Sequence, residues 1–456
     1  MTLLERATYL GARVTAQDDV HPAGEASAVM GTGMSAATQS RCASEPSGGI
    51  PNVMQTMAVH DGSLSLRDRL VEHRRTIHRT PELAWQEHRT ASYVESVLSA
   101  LGIEHRRVLG TGVVAVIEGR GPGCVGIRAD MDALPVPEAP GRDGYRSQND
   151  GVSHACGHDA HVAIALGLAE LLAGQAELPG TVVLYFQPAE EYGGEGGARP
   201  MVTDGVLDDP QPDAILALHT ASNYPTGTIA LRCGPMTAAV DDPSLTIHGV
   251  GGHAAHPHRA IDPVPVAANI ITNVQQVVTR EVDPLKPAVI TFGSIHGGTR
   301  HNVIAPSVTL DATIRTLYPD TRAYLVERVQ QMVHAVATAN RTSATATVTP
   351  GYPAGFNDSN LALLVESAAL AVCSPNQVVL EEHPSMGGED FFAFGDTGVP
   401  VCMFRLGVGS AARGITAPNH SAHFDIDESS MPVGVAVFAE TIRRLLTSPQ
   451  HERPKG

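Results

Sequence analysis

The chain has 456 residues, with 31 Lys and Arg against 48 Asp and Glu and a formal charge of -17. That length exceeds what one hydrophobic core serves, so two domains are expected, and an acidic excess without any run of Lys and Arg speaks against nucleic acid and anionic membranes as partners. No apolar run reaches the roughly 20 residues of a membrane helix, and the N-terminus lacks the basic-then-apolar order of a signal peptide, so a cytoplasmic protein is expected.

Residues 1–60 are rich in Gly, Ala, Ser and Thr without helical or strand periodicity, and a disordered extension is expected there. From Ser63 the pattern tightens. "SLSLRDRLVEHRRTIHR" sets Leu66, Leu70 and Ile77 on one helical face, and "EHRTASYVESVLSALG" predicts a second amphipathic helix that stops at Gly102. Short apolar runs follow, "GVVAVIEG", "CVGIRADMDAL", "TVVLYFQPAEE" and "AILALHT", with one long helix, "AHVAIALGLAELLAG", among them. Such alternation predicts an α/β sheet covered by helices on both faces.

Over residues 239–348 the order changes to strand, helix, strand, strand, helix, strand. That is the ferredoxin-like β-α-β-β-α-β order, long enough for a small domain inserted into a larger one. The larger domain, residues 61–238, resumes over 349–450 with "NLALLVESAALAVC" as helix, "VPVCMFRLG" as strand and "MPVGVAVFAETIRRLLTS" as closing helix.

Chemistry-bearing residues gather at strand ends. Pro188 stops the run "TVVLYFQ" just before Glu190 and Glu191, Asp130 and Asp132 follow "CVGIR", and His219 follows "AILAL". In open α/β sheets that edge is where ligands bind. The octapeptide "HACGHDAH", residues 154–161, adds Cys156 and His158 separated by one glycine, whose freedom allows sulfur and imidazole to point at one volume. Thiolate, imidazole and carboxylate together suit zinc or another divalent transition metal. Asp159 is expected to cap the following helix, with His161 in its first turn. In "APNHSAHFDIDE", His420 and His423 are both candidates, and spacing does not choose between them.

The six cysteines have no CxxC pair, which argues against a disulfide framework or zinc ribbon. Cys124, Cys233, Cys373 and Cys402 read as small core residues, Cys42 lies in the tail, and Cys156 alone has histidine neighbours. "GPGCVG" matches GxGxxG but precedes a strand, so it reads as a turn rather than a dinucleotide loop. A Cys156 thiol hydrolase would explain neither the paired glutamates nor His219.

Read in order, "RADMDALPVPE", "GVSHACGHDAH", "FQPAEE", "GGHAAHPH", "HNVIAPSV", "TIRT", "MGGEDFFAF" and "NHSAHFDIDE" resemble the M20 metallopeptidases. The similarity is to their amidohydrolase branch, which contains N-acyl-amino-acid, hippurate and auxin-conjugate hydrolases, and covers residues 63 to 448. It implies a zinc-peptidase-like α/β catalytic domain with a mixed sheet, plus an inserted α+β lid through which subunits pair as a homodimer or higher oligomer. It implies metal ligands at Cys156, His158, Glu191, His219 and His420, so choosing His420 over His423. It further implies Glu190 as general base and acid, and Asp132 as the carboxylate orienting the ligands. In the lid, His253 resembles a residue that steadies the oxyanion in a neighbouring subunit's site, and Asn302 and Arg315 resemble a pair holding the substrate's free carboxylate.

Two divalent ions, drawn from zinc, manganese, cobalt or nickel, are therefore expected, with a metal-activated water cutting the amide of an N-acyl amino acid. Burial or lid closure should raise the Glu190 pKa toward the working range. A dipeptidase or aminoacylase of the same superfamily is the nearest alternative. A metal- or ligand-binding protein without turnover is another. "AEEYGGEGGAR" and Asn419 depart from the family's usual wording beside the proposed ligands, which bears on substrate preference.

Overall fold

The structure, a computed structural model, describes residues 61–447 apart from 143 and 176; the expected extension over 1–60 lies outside the described residues. In chain order, α1 (Arg67–Arg79) and α2 (His88–Ala100) precede β1 (Glu104–Val108), β2 (Gly112–Ile117) and β3 (Cys124–Asp130). Then come α3 (His158–Ala173), β4 (Thr181–Gln187), α4 (Ala198–Thr203), β5 (Ala214–Pro225), β6 (Ile229–Leu231) and β7 (Gly234–Thr237). The next segment holds β8 (Ala239–His248), β9 (Gly252–His253), α5 (Pro263–Arg280), β10 (Ala288–Gly297), β11 (Val303–Ile304), β12 (Ser307–Thr316), α6 (Pro319–Ala339) and β13 (Ser343–Pro350). The chain closes with β14 (Gly355–Asn357), α7 (Ser359–Val372), β15 (Val378–Leu380), β16 (Val401–Gly409) and α8 (Met431–Thr447).

Eight strands form one sheet in the order β1-β2-β4-β3-β5-β16-β6-β15. Its centre, β4-β3-β5-β16, is parallel, whereas β2 joins β4 and β6 joins β16 antiparallel, so the sheet is mixed. Side chains alternate across a strand, and β4 shows the consequence: Val182, Leu184 and Phe186 enter one apolar cluster, Val183 and Tyr185 the other. Both faces are therefore buried. β1 was not anticipated from sequence, because "EHRRV" carries no apolar signal; it pairs with β2 through its backbone as a charged edge strand.

The second sheet runs β10-β12-β8-β13, antiparallel throughout. With α5 and α6 it reproduces the expected ferredoxin-like order, and it has its own core, including Leu245, Ile270, Val274, Leu310 and Leu325. The Asp262 side chain accepts from the Val264 N–H and Pro263 occupies the first turn of α5, which fixes where that helix begins. β7 and β14 pair where the chain enters and leaves this segment. Among the described residues, no helix is long and apolar enough to cross a membrane.

Candidate metal centre and active site

The sheet borders one cleft of about 510 Å³, with Glu190 and Glu191 just beyond the end of β4; His219, expected at a strand end, lies instead inside β5, because that strand continues to Pro225. Cys156, Glu190, Glu191, His219 and His420 line the cleft, as does Arg315 from β12. The turn into α3 explains how Cys156 and His158 come together. Gly157 has φ +94°, a left-handed conformation that costs an L-residue with a Cβ, and it lets the chain reverse between the thiol and the imidazole.

Three donor sets converge. Ligand atoms of Cys156, His158 and His219 lie within 4.8 Å of one another, as do those of Cys156, Glu191 and His420, and those of His158, Glu190 and Glu191. All five expected ligands thus meet in overlapping groups with Cys156 common to two. His423 is exposed and joins none of these groups.

The hydrogen bonds settle which nitrogens face inward. His219 Nδ1 lies 2.8 Å from the Thr220 carbonyl oxygen, which only accepts, so Nδ1 carries the proton and Nε2 keeps its lone pair, 3.4 Å from Cys156 Sγ. His158 Nδ1 likewise donates to the Asp132 carbonyl at 2.9 Å, leaving Nε2 buried without a hydrogen bond, 3.6 Å from Asp130 Oδ2. Glu191 Oε1 has no hydrogen bond either, although His420 Nε2 sits 3.0 Å away. A buried ring nitrogen and a buried carboxylate oxygen that make no hydrogen bond are costly unless an ion binds them, so the donor set fits divalent metal. His161 does not belong to it: its Nε2 accepts from the Thr220 N–H at 2.9 Å and its Nδ1 meets Asp130 Oδ1 at 2.5 Å.

Asp132 stands behind the cluster. Its Oδ1 lies 3.2 Å from His158 Nδ1 and its Oδ2 accepts from the Glu191 N–H at 2.8 Å, so one carboxylate orients two of the expected ligands. Two non-glycine residues in left-handed backbone frame the site, Ala189 (φ 58°) just before the glutamates and His420 (φ 66°). The Ala189 N–H donates to Glu87 Oε1 at 2.8 Å, which holds that turn.

Glu190 is buried in the one-turn 3₁₀ segment Glu190–Tyr192. Burial, and then the negative charges of Glu389, Glu191 and Asp390, push its carboxyl well above the usual range. Arg128, fully buried, balances the group: Nη1 donates to Asp130 Oδ2 at 2.7 Å, Nη2 to Asp390 Oδ1 at 2.9 Å, and Nε to Gln187 Oε1 at 2.8 Å. Nothing in the run "MGGEDFFAF" marks Glu389 and Asp390 for this place, because only tertiary contact puts them beside Glu190.

Other expectations fare unevenly. Asp159 does not cap α3, which begins after Gly157; its side chain instead meets Arg74 Nε at 3.0 Å and His78 Nδ1 at 2.7 Å, because buried cations from α1 outcompete the helix end. His253 and Asn302 are exposed and lie together, with the Ala254 N–H donating to the Asn302 carbonyl, but neither lines the cleft that holds Arg315. Within one chain, Asn302 and Arg315 are therefore not brought together. Cys124 and Cys402 are buried as expected, and Cys233 and Cys373 half-buried.

Comparison with known proteins fits this arrangement. Residues 126–444 match the model of peptidase family M20/M25/M40. The chain is 37% identical over 379 residues to thermostable carboxypeptidase 2 of Saccharolobus solfataricus, covering 82% of this chain and 94% of that one. It is 36% identical over 412 residues to IAA-amino acid hydrolase ILR1-like 4 of Arabidopsis thaliana, covering 89% and 91%. The crystal structure of the Bacillus subtilis YXEP protein, a dinuclear metal binding peptidase of the M20 family, superposes with a TM-score of 0.71 at 31% identity over 84% of this chain and 99% of that one. The chain thus belongs to peptidase family M20/M25/M40, in its amidohydrolase branch, and is a metal-dependent hydrolase of amide bonds.

Proposed function

We propose that the enzyme cleaves the amide between an acyl group and an amino acid, or a similar conjugate, that bears a free carboxylate. The observation that carries this reading is one cleft with five convergent donor side chains, the buried Glu190 beside them and Arg315 on the wall. Cys156, His158, Glu191, His219 and His420 would hold two divalent ions, zinc, manganese, cobalt or nickel being compatible with S, N and O donors. The chemistry such a centre supplies when loaded is acidification of water and polarisation of a carbonyl.

The chain's own residues do the rest. Asp132 orients His158 and Glu191, and the Glu190 carboxylate takes the water's proton and returns it to the leaving amine. Arg315 Nε donates to Thr313 Oγ1 at 3.0 Å, which leaves the outer edge of its fork for the substrate carboxylate. Residues 239–348 act as lid and pairing domain, and residues 61–238 with 349–450 as the catalytic domain. His253 and Asn302, exposed and outside their own cleft, serve the cleft of a second copy in a homodimer.

The test is release of amino acid from N-acetyl, N-benzoyl and dipeptide substrates by wild type and Glu190→Gln, with chelator and then with added metal. Expected is metal-dependent turnover that Glu190→Gln lowers by about 10²- to 10⁴-fold with metal stoichiometry kept. Stoichiometric metal with no turnover on any amide would overturn the reading.

A further inference from the structure

Arg315 is not the only guanidinium in the cleft. Arg405 lines it too, from the middle of β16, where every other residue of the strand is buried. A charged side chain on an interior strand is costly to bury, so its surroundings should say what it is for.

Three observations agree. First, Arg405 is in register with His219 on the neighbouring parallel strand β5, and partners in register project to the same face of a sheet. The side chain therefore leaves the sheet on the face that carries the metal-centre histidine. Second, only one edge of the guanidinium is hydrogen-bonded: Nε lies 3.0 Å from Glu381 Oε1 and 3.3 Å from Oε2, and neither terminal nitrogen makes a hydrogen bond among the described residues. Third, Glu381 is braced from behind by the Tyr224 hydroxyl at 3.0 Å, and neither Glu381 nor Tyr224 lines the cleft. An ion pair built only for stability would use the fork. Here a carboxylate outside the cleft grips the Nε edge, and the Nη1/Nη2 edge, which matches a carboxylate in two parallel hydrogen bonds, is left for the cleft.

We propose that Arg405 is a specificity-determining residue that binds a second anionic group, so that the preferred substrates are amides carrying one carboxylate for Arg315 and another for Arg405. This rests on the amide-hydrolase reading above and adds the substrate class. The second carboxylate has two sources, the amino-acid side chain or the far end of the acyl group, and the chemistry presented to Arg405 is the same for both.

The experiment compares near-isosteric pairs on metal-loaded wild-type enzyme: N-acetyl-L-glutamate against N-acetyl-L-glutamine, and N-succinyl-L-alanine against N-succinamoyl-L-alanine. Arg405→Met and Arg405→Lys are assayed beside it, with thermal melts to check folding. A site that hydrogen-bonds a charged group discriminates strongly against the analogue lacking it. Expected is a kcat/KM ratio of about 10- to 100-fold in favour of the dianion for one pair, and that pair names the source. In Arg405→Met the ratio collapses toward unity, and Arg405→Lys, lacking the planar fork, restores only part of it. If the variants fail to fold, the wild-type ratios decide alone. Measurable hydrolysis with neither pair discriminated would overturn the inference while leaving the hydrolase reading intact, as would a preference for lysine conjugates drawn by Asp242, which also lines the cleft. No hydrolysis of any amide would overturn both.

Discussion

Gly157→Ala probes the turn that brings Cys156 and His158 together. A Cβ built there would lie 2.3 Å from Thr220 Oγ1, 3.2 Å from Thr220 Cβ and 3.4 Å from Phe424 Cζ, and the residue would have to keep φ +94°. The backbone term is about 1–2 kcal/mol for an L-residue in left-handed conformation. Overpacking against buried Thr220 adds about 1–3 kcal/mol. Thr220 cannot simply step aside, because its hydroxyl donates to the Cys156 carbonyl at 2.9 Å and its N–H serves His161. The substitution therefore destabilises by about 2–5 kcal/mol and tilts the thiol away from His219, lowering metal affinity by about 10- to 100-fold, as disturbing a ligand's support commonly does. Calorimetric melts with and without metal, together with metal titration, measure both effects. Gly157→Ala/Thr220→Ala removes the 2.3 Å clash and should recover part of the steric cost but none of the backbone cost, giving a non-additive cycle. Wild-type melting and metal affinity in Gly157→Ala would refute the reasoning.

Three other substitutions test other parts of the structure. Asp132→Asn replaces a carboxylate that faces both His158 and the Glu191 N–H by a group with one acceptor oxygen, so metal affinity should fall about 10- to 100-fold in a chelator competition while far-ultraviolet circular dichroism is unchanged. Arg128→Met leaves Asp130, Glu389 and Asp390 buried without their cation, and about 3–5 kcal/mol of stability should be lost, read as a lower denaturant midpoint; an unshifted midpoint would show that these carboxyls are already neutral. Burial pushes the Glu138 carboxyl up, but hydrogen bonds from His78 and Arg142 outweigh it and hold the group at about 2. Its stabilisation is then complete above the unfolded carboxyl's pKa of about 4.3 and lost as pH falls through 2. Glu138→Gln should accordingly melt lower than wild type at pH 7, with the gap closing between about pH 4 and pH 2; a gap independent of pH would contradict the assignment.

Much of the molecule was legible along the chain because its signals are local. The period-2 and period-3.6 runs predicted α1, α2, α3, β2 to β5 and the ferredoxin-like order, since burial on one face of a helix or both faces of a strand writes itself into spacing. Proline at 188 marks the end of β4 just before the paired acids and glycine at 157 the turn into α3; the resemblance points to His420 rather than His423, and His420 stands with Cys156 and Glu191 while His423 joins no such group among the described residues. Other features depended on contacts between distant segments. β1 has no apolar pattern and exists by pairing with β2. Asp159 looked like a helix cap until Arg74 and His78 from α1 claimed it. The Arg128 carboxylate cluster joins residues 262 positions apart, and the protonation of His158 and His219 follows from the carbonyl each one faces. Sequence by itself determined which donor types the site contains and which elements carry them, because residue type and periodicity are properties of the chain; only the tertiary structure decided which lone pairs face one another, because that depends on how separate elements pack.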